Sequence, residues 1–375
     1  MTWNIPLFKM YYDEDDIESV SAALRSGMNW AVGSEVTSFE NELAEYIETS
    51  YCLTFNSGTS ALHTALLAHG IGEGDEVIVP SFTFIATANA PLFVGARPVF
   101  ADVEKTTLGL DPDSVLAQIT PRTRVIMPVH YGGCPCMIRE LREIADDHNL
   151  ILIEDAAEAL GASIEGEMVG SYGDSSMLSF CQNKVITTGE GGALVTDDRD
   201  LYERSKLIRS HGRLETADYF SSCVSMDYIT LGYNFRLSNI AAALGRAQLR
   251  KVEGIIAMRK AIAGLYTTLL QEKVPEISVM SPPGGYMHVN QLFSVRVPQR
   301  DVLMKYLAEQ GIMSKIYFDP VHLTHLYRSL PGYEVSLPVT EMVAGDILSL
   351  PIYPGMPEEE IIRVVDTIAE YYAVE

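Results

Sequence analysis

The stretch Ser179-Phe180-Cys181-Gln182-Asn183-Lys184-Val185-Ile186-Thr187-Thr188-Gly189-Glu190-Gly191-Gly192 holds one lysine between a short apolar run and a glycine-rich turn. Ser176 to Phe180 read as the end of a buried strand and Gly192 to Thr196 as the next strand, so Lys184 falls on a connection between two sheet elements. Functional groups concentrate on such connections, because loops can vary over a rigid scaffold. A lysine amine is protonated at neutral pH and a poor nucleophile; a chemical role requires surroundings that desolvate it or a partner that captures it as a Schiff base. Taken alone, a lysine beside glycines is as a rule a solvated loop residue.

Outward from this stretch, short apolar runs alternate with helical patterns. The runs are Cys52 to Phe55, Val77 to Pro80, Pro98 to Ala101, Val125 to Val129, Leu150 to Ile153, Met177 to Phe180 and Ala193 to Thr196. Ser60 to His69, Phe84 to Val94, Ile138 to His148 and Ala156 to Leu160 carry the helical patterns between them. This is the signature of βαβ units, and it predicts a mostly parallel sheet of about seven strands flanked by helices. Beyond Tyr233 two long helices are expected, Asn239 to Leu249 and Val252 to Leu270, followed by a break at Pro282-Pro283-Gly284-Gly285. A strand at Leu292 to Val297, a helix at Asp301 to Gln310, a strand near Met313 to Phe318 and a last helix at Pro357 to Tyr372 complete a smaller α/β domain. The expected division is 1–255 and 256–375, the N-terminal segment belonging to the larger unit.

A chain of 375 residues, 47% of them hydrophobic, exceeds what one core usually serves and has apolar content for two. The N-terminus turns acidic early and no stretch approaches a membrane span, so neither secretion nor membrane insertion is expected. Five cysteines form a sparse, odd set that suits a reducing compartment, with the cytoplasm as the expected location. The formal charge of -23 argues against a nucleic-acid surface, which needs clustered Lys and Arg, but leaves room for a small anion held by backbone N–H groups.

Asn56-Ser57-Gly58-Thr59-Ser60 follows a strand and opens a helix. Exposed N–H groups and short hydroxyls there form a cradle for an anion such as phosphate, or else an ordinary helix cap. Asp155, in Glu154-Asp155-Ala156-Ala157-Glu158, lies at the carboxyl end of a strand, where open α/β sheets bind ligands. Buried there it needs a cationic partner, such as a protonated pyridine nitrogen; exposed, it is a cap. Phe82 and Phe84 follow another strand end, where an aromatic can stack on a planar ring or simply fill core. Cys134 and Cys136 beside His130 lack a second ligand pair, and no metal site is expected. A phosphate cradle, a stacking aromatic, an acidic pyridine partner and a Schiff-base lysine, in that chain order at strand ends, are together what pyridoxal phosphate requires.

Along nearly its whole length the chain resembles the DegT/DnrJ/StrS family of sugar aminotransferases, which have the aspartate-aminotransferase-like fold type I of pyridoxal-phosphate enzymes. The matching stretches include Ile5-Pro6-Leu7, Asn56 to Leu62, Pro80 to Phe84, Glu154 to Ala157, Ser179 through Lys184 to Gly192, Gly232-Tyr233-Asn234-Phe235-Arg236, Pro320-Val321-His322-Leu323 and Leu348 to Pro351. The resemblance implies that Lys184 bonds covalently to the cofactor and then shuttles a proton, and that Asp155 pairs with the pyridine nitrogen. It implies a phosphate site from Ser57, Gly58, Thr59 and Ser179, and a stacking position at Phe84. Asn234 matches a residue that relatives contribute to a neighbouring subunit, so a homodimer with shared active sites is implied. Glu158 stands beside the cofactor where many relatives carry Gln or His. His211, Arg213, Arg236 and His322 are candidates for binding substrate. The implied reaction moves an amino group from an amino-acid donor, glutamate by family habit, to a nucleotide-linked keto-sugar, a 4-keto-6-deoxy sugar by expectation. The alternatives are a pyridoxal-phosphate-dependent sugar dehydratase, against which the intact Lys184 argues, and a non-catalytic regulatory protein of the same fold, which would lack an absorbance band at roughly 410 to 430 nm.

Overall fold

The helices and strands follow from where apolar residues recur and where capping side chains stop them. The computed structural model describes residues 3–214, 223 and 225–373. Helix α1 (Glu14–Arg25) opens with a capping box, in which Asp13 accepts from Asp15 N and the Asp16 carboxylate accepts from Asp13 N. Helix α2 (Ser34–Ile47) buries Phe39, Leu43 and Ile47 and leads into the sheet. There follow β1 (Tyr51–Phe55), α3 (Gly58–Ala68), β2 (Glu76–Pro80), α4 (Ile85–Phe93), β3 (Arg97–Ala101), α5 (Pro112–Gln118), β4 (Thr123–Ile126), α6 (Ile138–Asp147) and β5 (Ile151–Asp155). A short hairpin, β6 (Ser163–Ile164) and β7 (Glu167–Met168), precedes β8 (Ser175–Ser179), β9 (Gly192–Thr196) and α7 (Arg199–Arg209).

The expected seven strands form one sheet in the order β1-β9-β8-β5-β4-β2-β3. Neighbours from β8 through β5, β4 and β2 to β3 are parallel, and β9 runs antiparallel to both β1 and β8. Strands such as β2 and β9 are buried along their whole length, as helices on both faces require. The carboxyl ends of the parallel strands therefore share one edge, where β1 leads into α3, β2 into α4 and β5 into Ala156.

Helices α8 (Asn239–Leu249) and α9 (Val252–Lys273) follow. Val252, Ile255 and Ile256 of α9 pack in a core with Phe39, Leu43 and Phe180, whereas Ile262, Tyr266 and Leu270 pack in a second core with Leu303, Leu348, Val364 and Ile368. That second core lies against an antiparallel sheet of β10 (Ser278–Val279), β12 (Phe293–Arg296) and β13 (Ile347–Leu350), while β11 (Tyr286–Met287) pairs back onto β6. Helices α10 (Arg300–Glu309) and α13 (Glu358–Ala373) pack into that second core, whereas α11 (His325–Ser329) buries Tyr327 with Phe100 and Val321, and α12 (Pro338–Asp346) buries Val343 and Ala344 with Phe82 and Ile347. Ile5 also packs in the second core, bridged to Ile312. No helix among the described residues is long and apolar enough to cross a membrane.

Two local expectations are corrected. Ala156 to Leu160 is not a helix but a run of turns: Ala159 N donates to Ala156 O at 3.0 Å and Ala162 N to Ala159 O at 2.9 Å, closing i to i+3 turns in place of an i to i+4 ladder, and Gly161 follows at φ of +86°. Met313 to Phe318 is not a continuous strand. Lys315 exchanges a pair of backbone hydrogen bonds with Ser349, but Met313 N turns to Ile5 O and Tyr317 O accepts the Tyr131 hydroxyl, so successive residues find partners in different directions.

Candidate active site

Strand β5 delivers Asp155 at its last position, 4% exposed and fully enclosed by β8 and α4. Its Oδ2 accepts from Thr87 Oγ1 at 2.7 Å and its Oδ1 from Ala157 N at 3.2 Å. Burial pushes the carboxyl above its ordinary range, and the Thr87 hydroxyl, the Ala157 N–H and the Lys184 charge pull it back. A carboxylate kept ionised at this depth needs a cation set against it.

Lys184 is reached through a turn in which Lys184 N donates to Cys181 O at 3.0 Å. Its side chain is 14% exposed, and Nζ lies 3.3 Å from Glu158 Oε1. Glu158, itself 5% exposed, takes the Gly132 N–H on Oε2 at 2.8 Å. Gly132 has φ of +62°, a conformation that lets the backbone turn its N–H inward at little steric cost to glycine. The lysine is thus a half-enclosed amine with a carboxylate at hand rather than a solvated loop residue.

The start of α3 forms the third element. Ser57 caps the helix, its Oγ accepting from Ser60 N at 3.1 Å, while the N–H groups of Gly58 and Thr59 lie in the first turn, where no intrahelical acceptor exists. A Cβ on Gly58 would lie 2.8 Å from Met177 Sδ and 3.3 Å from Ser179 Cβ, and one on Gly192 would lie 2.5 Å from Gly58 N. Both glycines are therefore required for β8, β9 and the helix start to approach one another, and that approach sets the half-buried Ser179 beside the first-turn N–H groups. Phe84 is the residue before α4 and keeps its ring 59% exposed, 6.0 Å from the Phe318 ring. An anion cradle, an open aromatic face, a buried carboxylate lacking a full charge partner and an amine thus line one edge of the sheet. Pyridoxal phosphate offers the complement of each: a phosphate, a planar ring, a protonatable ring nitrogen and an aldehyde.

The other candidates fall elsewhere. Asn234 is exposed, its carbonyl 3.4 Å from Asn56 Nδ2, and Phe235 O accepts from Asn56 N at 2.8 Å, so the segment from Asn234 to Arg236 runs beside the cradle. Arg236 is half-buried and bridged to Phe55. His211 is exposed at φ of +64°, and Arg213 is 5% exposed and bridged to Tyr228. His322 is 3% exposed: Nδ1 lies 2.6 Å from Ser81 Oγ and Nε2 lies 3.5 Å from Glu341 Oε1, so its contacts lie with the end of β2 and with α12. Since Ser81 Oγ also accepts from His322 N, its own proton goes to Nδ1. Burial lowers the histidine below its ordinary range. His130 uses both ring nitrogens as well, Nδ1 accepting from Cys136 N at 3.1 Å and Nε2 facing Glu154 Oε2 at 3.0 Å, which leaves it no free electron pair for a metal.

Several residues at the site carry no motif that pointed to them. Thr87 and Thr83 stand behind Asp155, Gly132 holds Glu158, and Gln291 Nε2 donates to Asn183 O next to Lys184. Only the i, i+4 spacing of the two threonines at a helix start offered a signal.

The profile of the DegT/DnrJ/EryC1/StrS aminotransferase family matches residues 10–369. The chain is 40% identical over 340 residues to the GDP-perosamine synthase of Caulobacter vibrioides, covering 89% of each protein. Its fold superposes with a TM-score of 0.91 on S. venezuelae DesV, solved in complex with a ketimine intermediate, at 36% identity over 99% of both chains. Helicobacter pylori PseC, an aminotransferase involved in the biosynthesis of pseudoaminic acid, superposes with a TM-score of 0.92 at 28% identity over 100% of both. The chain therefore belongs to the DegT/DnrJ/EryC1/StrS aminotransferase family and is a pyridoxal-phosphate-dependent aminotransferase of amino-sugar biosynthesis.

Proposed function

We propose that the acceptor is a nucleotide-linked keto-sugar, of the 4-keto-6-deoxy type, and that the amino group comes from an amino acid such as L-glutamate. The Caulobacter relative, a GDP-perosamine synthase, supports the nucleotide sugar. The observation that carries the chemistry is the setting of Lys184 beside Glu158, with its charge acting on the buried Asp155.

Bound pyridoxal phosphate supplies an electron sink for the carbon that loses its proton during transfer. The residues supply the rest. Gly58 N, Thr59 N, Ser57 and the Ser179 hydroxyl would hold the phosphate, the helix start adding its partial positive charge. Asp155, buried at the strand end, would keep a proton on the ring nitrogen, and the exposed Phe84 would offer its ring for stacking. Lys184 Nζ would hold the cofactor at its aldehyde carbon and, once freed by the donor amine, would take the proton from the donor's α-carbon and hand it to that aldehyde carbon, water then releasing the donor as its keto acid; in the acceptor half the lysine would carry the proton the opposite way. Glu158 receives the Lys184 ammonium at 3.3 Å whenever the amine is free.

His211, Arg213 and Arg236 are proposed for the anionic parts of the substrates, and His322 for the wall of that pocket. The active form is proposed as a homodimer in the cytoplasm in which Asn234 serves the partner's phosphate site; its exposure and the exposed Tyr228, Ile229 and Leu231 nearby support this. Two domains, 1–255 and 256–375, are proposed on the change of core along α9.

The test is Lys184→Ala. The variant is expected to keep the native circular dichroism and bind cofactor without the roughly 410 to 430 nm band, with amino transfer reduced by about 10⁴-fold or more. A wild-type rate and spectrum in that variant would refute the role. For the acceptor, the pyridoxamine-loaded enzyme is mixed with a panel of nucleotide-linked keto-sugars; return of the band with none of them would exclude that substrate class.

A further inference from the structure

Behind Asp155 stand two hydroxyls that the mechanism above does not employ. Thr87 Oγ1 lies 2.7 Å from Asp155 Oδ2 and 2.9 Å from Thr83 Oγ1, and the two threonines are 1% and 2% exposed. They do not serve the start of α4: the residue before it, Phe84, makes no side-chain cap, and Thr87 N is satisfied by Phe84 O at 3.2 Å. Each hydroxyl owns one proton. Facing an ionised Asp155, which can only accept, Thr87 commits its proton to Oδ2 and takes the Thr83 proton on its own oxygen. Facing a neutral Asp155 the same chain can run backwards, the acid donating to Thr87 and Thr87 to Thr83. Neither direction requires a heavy atom to move. With Oδ1 held by Ala157 N and Oδ2 by Thr87, the carboxylate plane is fixed from two sides.

We propose that Thr87 and Thr83 are positioning residues for the cofactor: a reversible hydroxyl pair that satisfies Asp155 in either protonation state and fixes the aim of its carboxylate at the ring nitrogen. The proposal rests on the assignment of Asp155 to that nitrogen.

The experiment titrates cofactor-free enzyme with pyridoxal phosphate, following absorbance, for the wild type, Thr87→Val, Thr87→Ser, Thr83→Val and Asp155→Ala, with thermal unfolding of each cofactor-free protein. A hydrogen bond to a buried charge sets the scale: Thr87→Val is expected to weaken cofactor binding by about 10- to 100-fold, Thr83→Val by about 3- to 10-fold, and Thr87→Ser to bind within about threefold of wild type. Rescue by serine is the result a packing role would not give, since serine restores the hydroxyl and not the methyl. If Thr87→Val is too unstable to titrate, the serine and Thr83→Val variants decide the matter, because neither removes the group that touches Asp155. Wild-type affinity in Thr87→Val, or no rescue by serine, overturns the proposal while loss of binding in Asp155→Ala leaves the cofactor site intact. Wild-type affinity in Asp155→Ala as well would remove the assignment of Asp155 itself.

Discussion

At Asp155 burial and charge pull in opposite directions. Its folded-state carboxyl is raised above the ordinary value because the pocket desolvates it, so the folded protein without cofactor holds that proton more tightly than the unfolded chain does. The stabilising effect of the proton is fully present below the unfolded value of about 3.9 and is lost as pH rises through the folded one, leaving a penalty at neutral pH. Asp155→Asn removes that penalty, and its amide can donate to Thr87 as a neutral acid would. The cofactor-free variant is therefore expected to melt higher than wild type at pH 7, the difference vanishing below about pH 4, while its hold on pyridoxal phosphate weakens. Differential scanning calorimetry at the two pH values, with equilibrium dialysis of the cofactor, measures both. A melting point that drops together with affinity would show that the charge is paired within the protein. Lys184 is the companion case, an amine with the Glu158 carboxylate 3.3 Å away.

Among the elements, the turn from 170 to 173 depends on one side chain. Glu154 Oε1 accepts from Tyr172 N at 2.9 Å and Gly173 N at 2.7 Å, and Oε2 from Gly170 N at 2.9 Å with His130 Nε2 at 3.0 Å. The carboxylate is fully buried and ties β5 to the approach to β8, the two strands that carry Asp155 and Ser179. Glu154→Ala leaves these donors without a partner and is expected to cost about 3 kcal/mol or more in urea unfolding; a loss under about 1 kcal/mol would mean that the turn finds other acceptors. Glu154 stood in the quoted motif, yet its role was not legible there, because its partners are backbone groups of a loop that only the fold brings near. The seven strands were legible, since a strand covered on both faces is written as an unbroken apolar run such as Val77 to Pro80. Ala156 to Leu160 was misread because alanine and leucine favour helix locally, while in the fold the segment closes i to i+3 turns and reaches Gly161 at positive φ. The places of Asp155 at a strand end and of Lys184 on a connection between strands were legible, whereas Ser179 was reached only through the family resemblance. The roles of Thr83 and Thr87 were not legible, because their i, i+4 spacing at a helix start says nothing of the carboxylate, 68 positions beyond Thr87, on which Thr87 is turned.

For the molecule as a whole, acid stability is set by histidines that the fold keeps neutral against a strongly negative background. His69, on the residue after α3 with Nε2 3.1 Å from Ser175 Oγ, is pushed down to about 4 by burial, which outweighs the pull of Asp174 and Asp198. His288 is likewise pushed down to about 4 by burial, between α9 and β12. For both, the unfolded chain takes up a proton near pH 6.5 and the folded one near pH 4, so the unfolded state binds more protons between those values. Stability is complete above about pH 6.5, falls as pH is lowered, and levels off below about pH 4, at a cost of about 2 kcal/mol per histidine by pH 5. The net charge of -23 works the other way, because protonating surface carboxylates relieves self-repulsion, so the raw pH profile mixes two trends of opposite sign. Comparison with His69→Gln separates them, since both proteins share the same surface. Glutamine can still bond Ser175 but takes up no proton. Urea unfolding at pH 7 and pH 5, at equal protein concentration and ionic strength, is expected to show the wild type losing about 2 kcal/mol more than the variant. Equal losses in the two proteins would mean that His69 is protonated in the folded state with no penalty, and that the acid limit of this fold lies in its carboxylates instead.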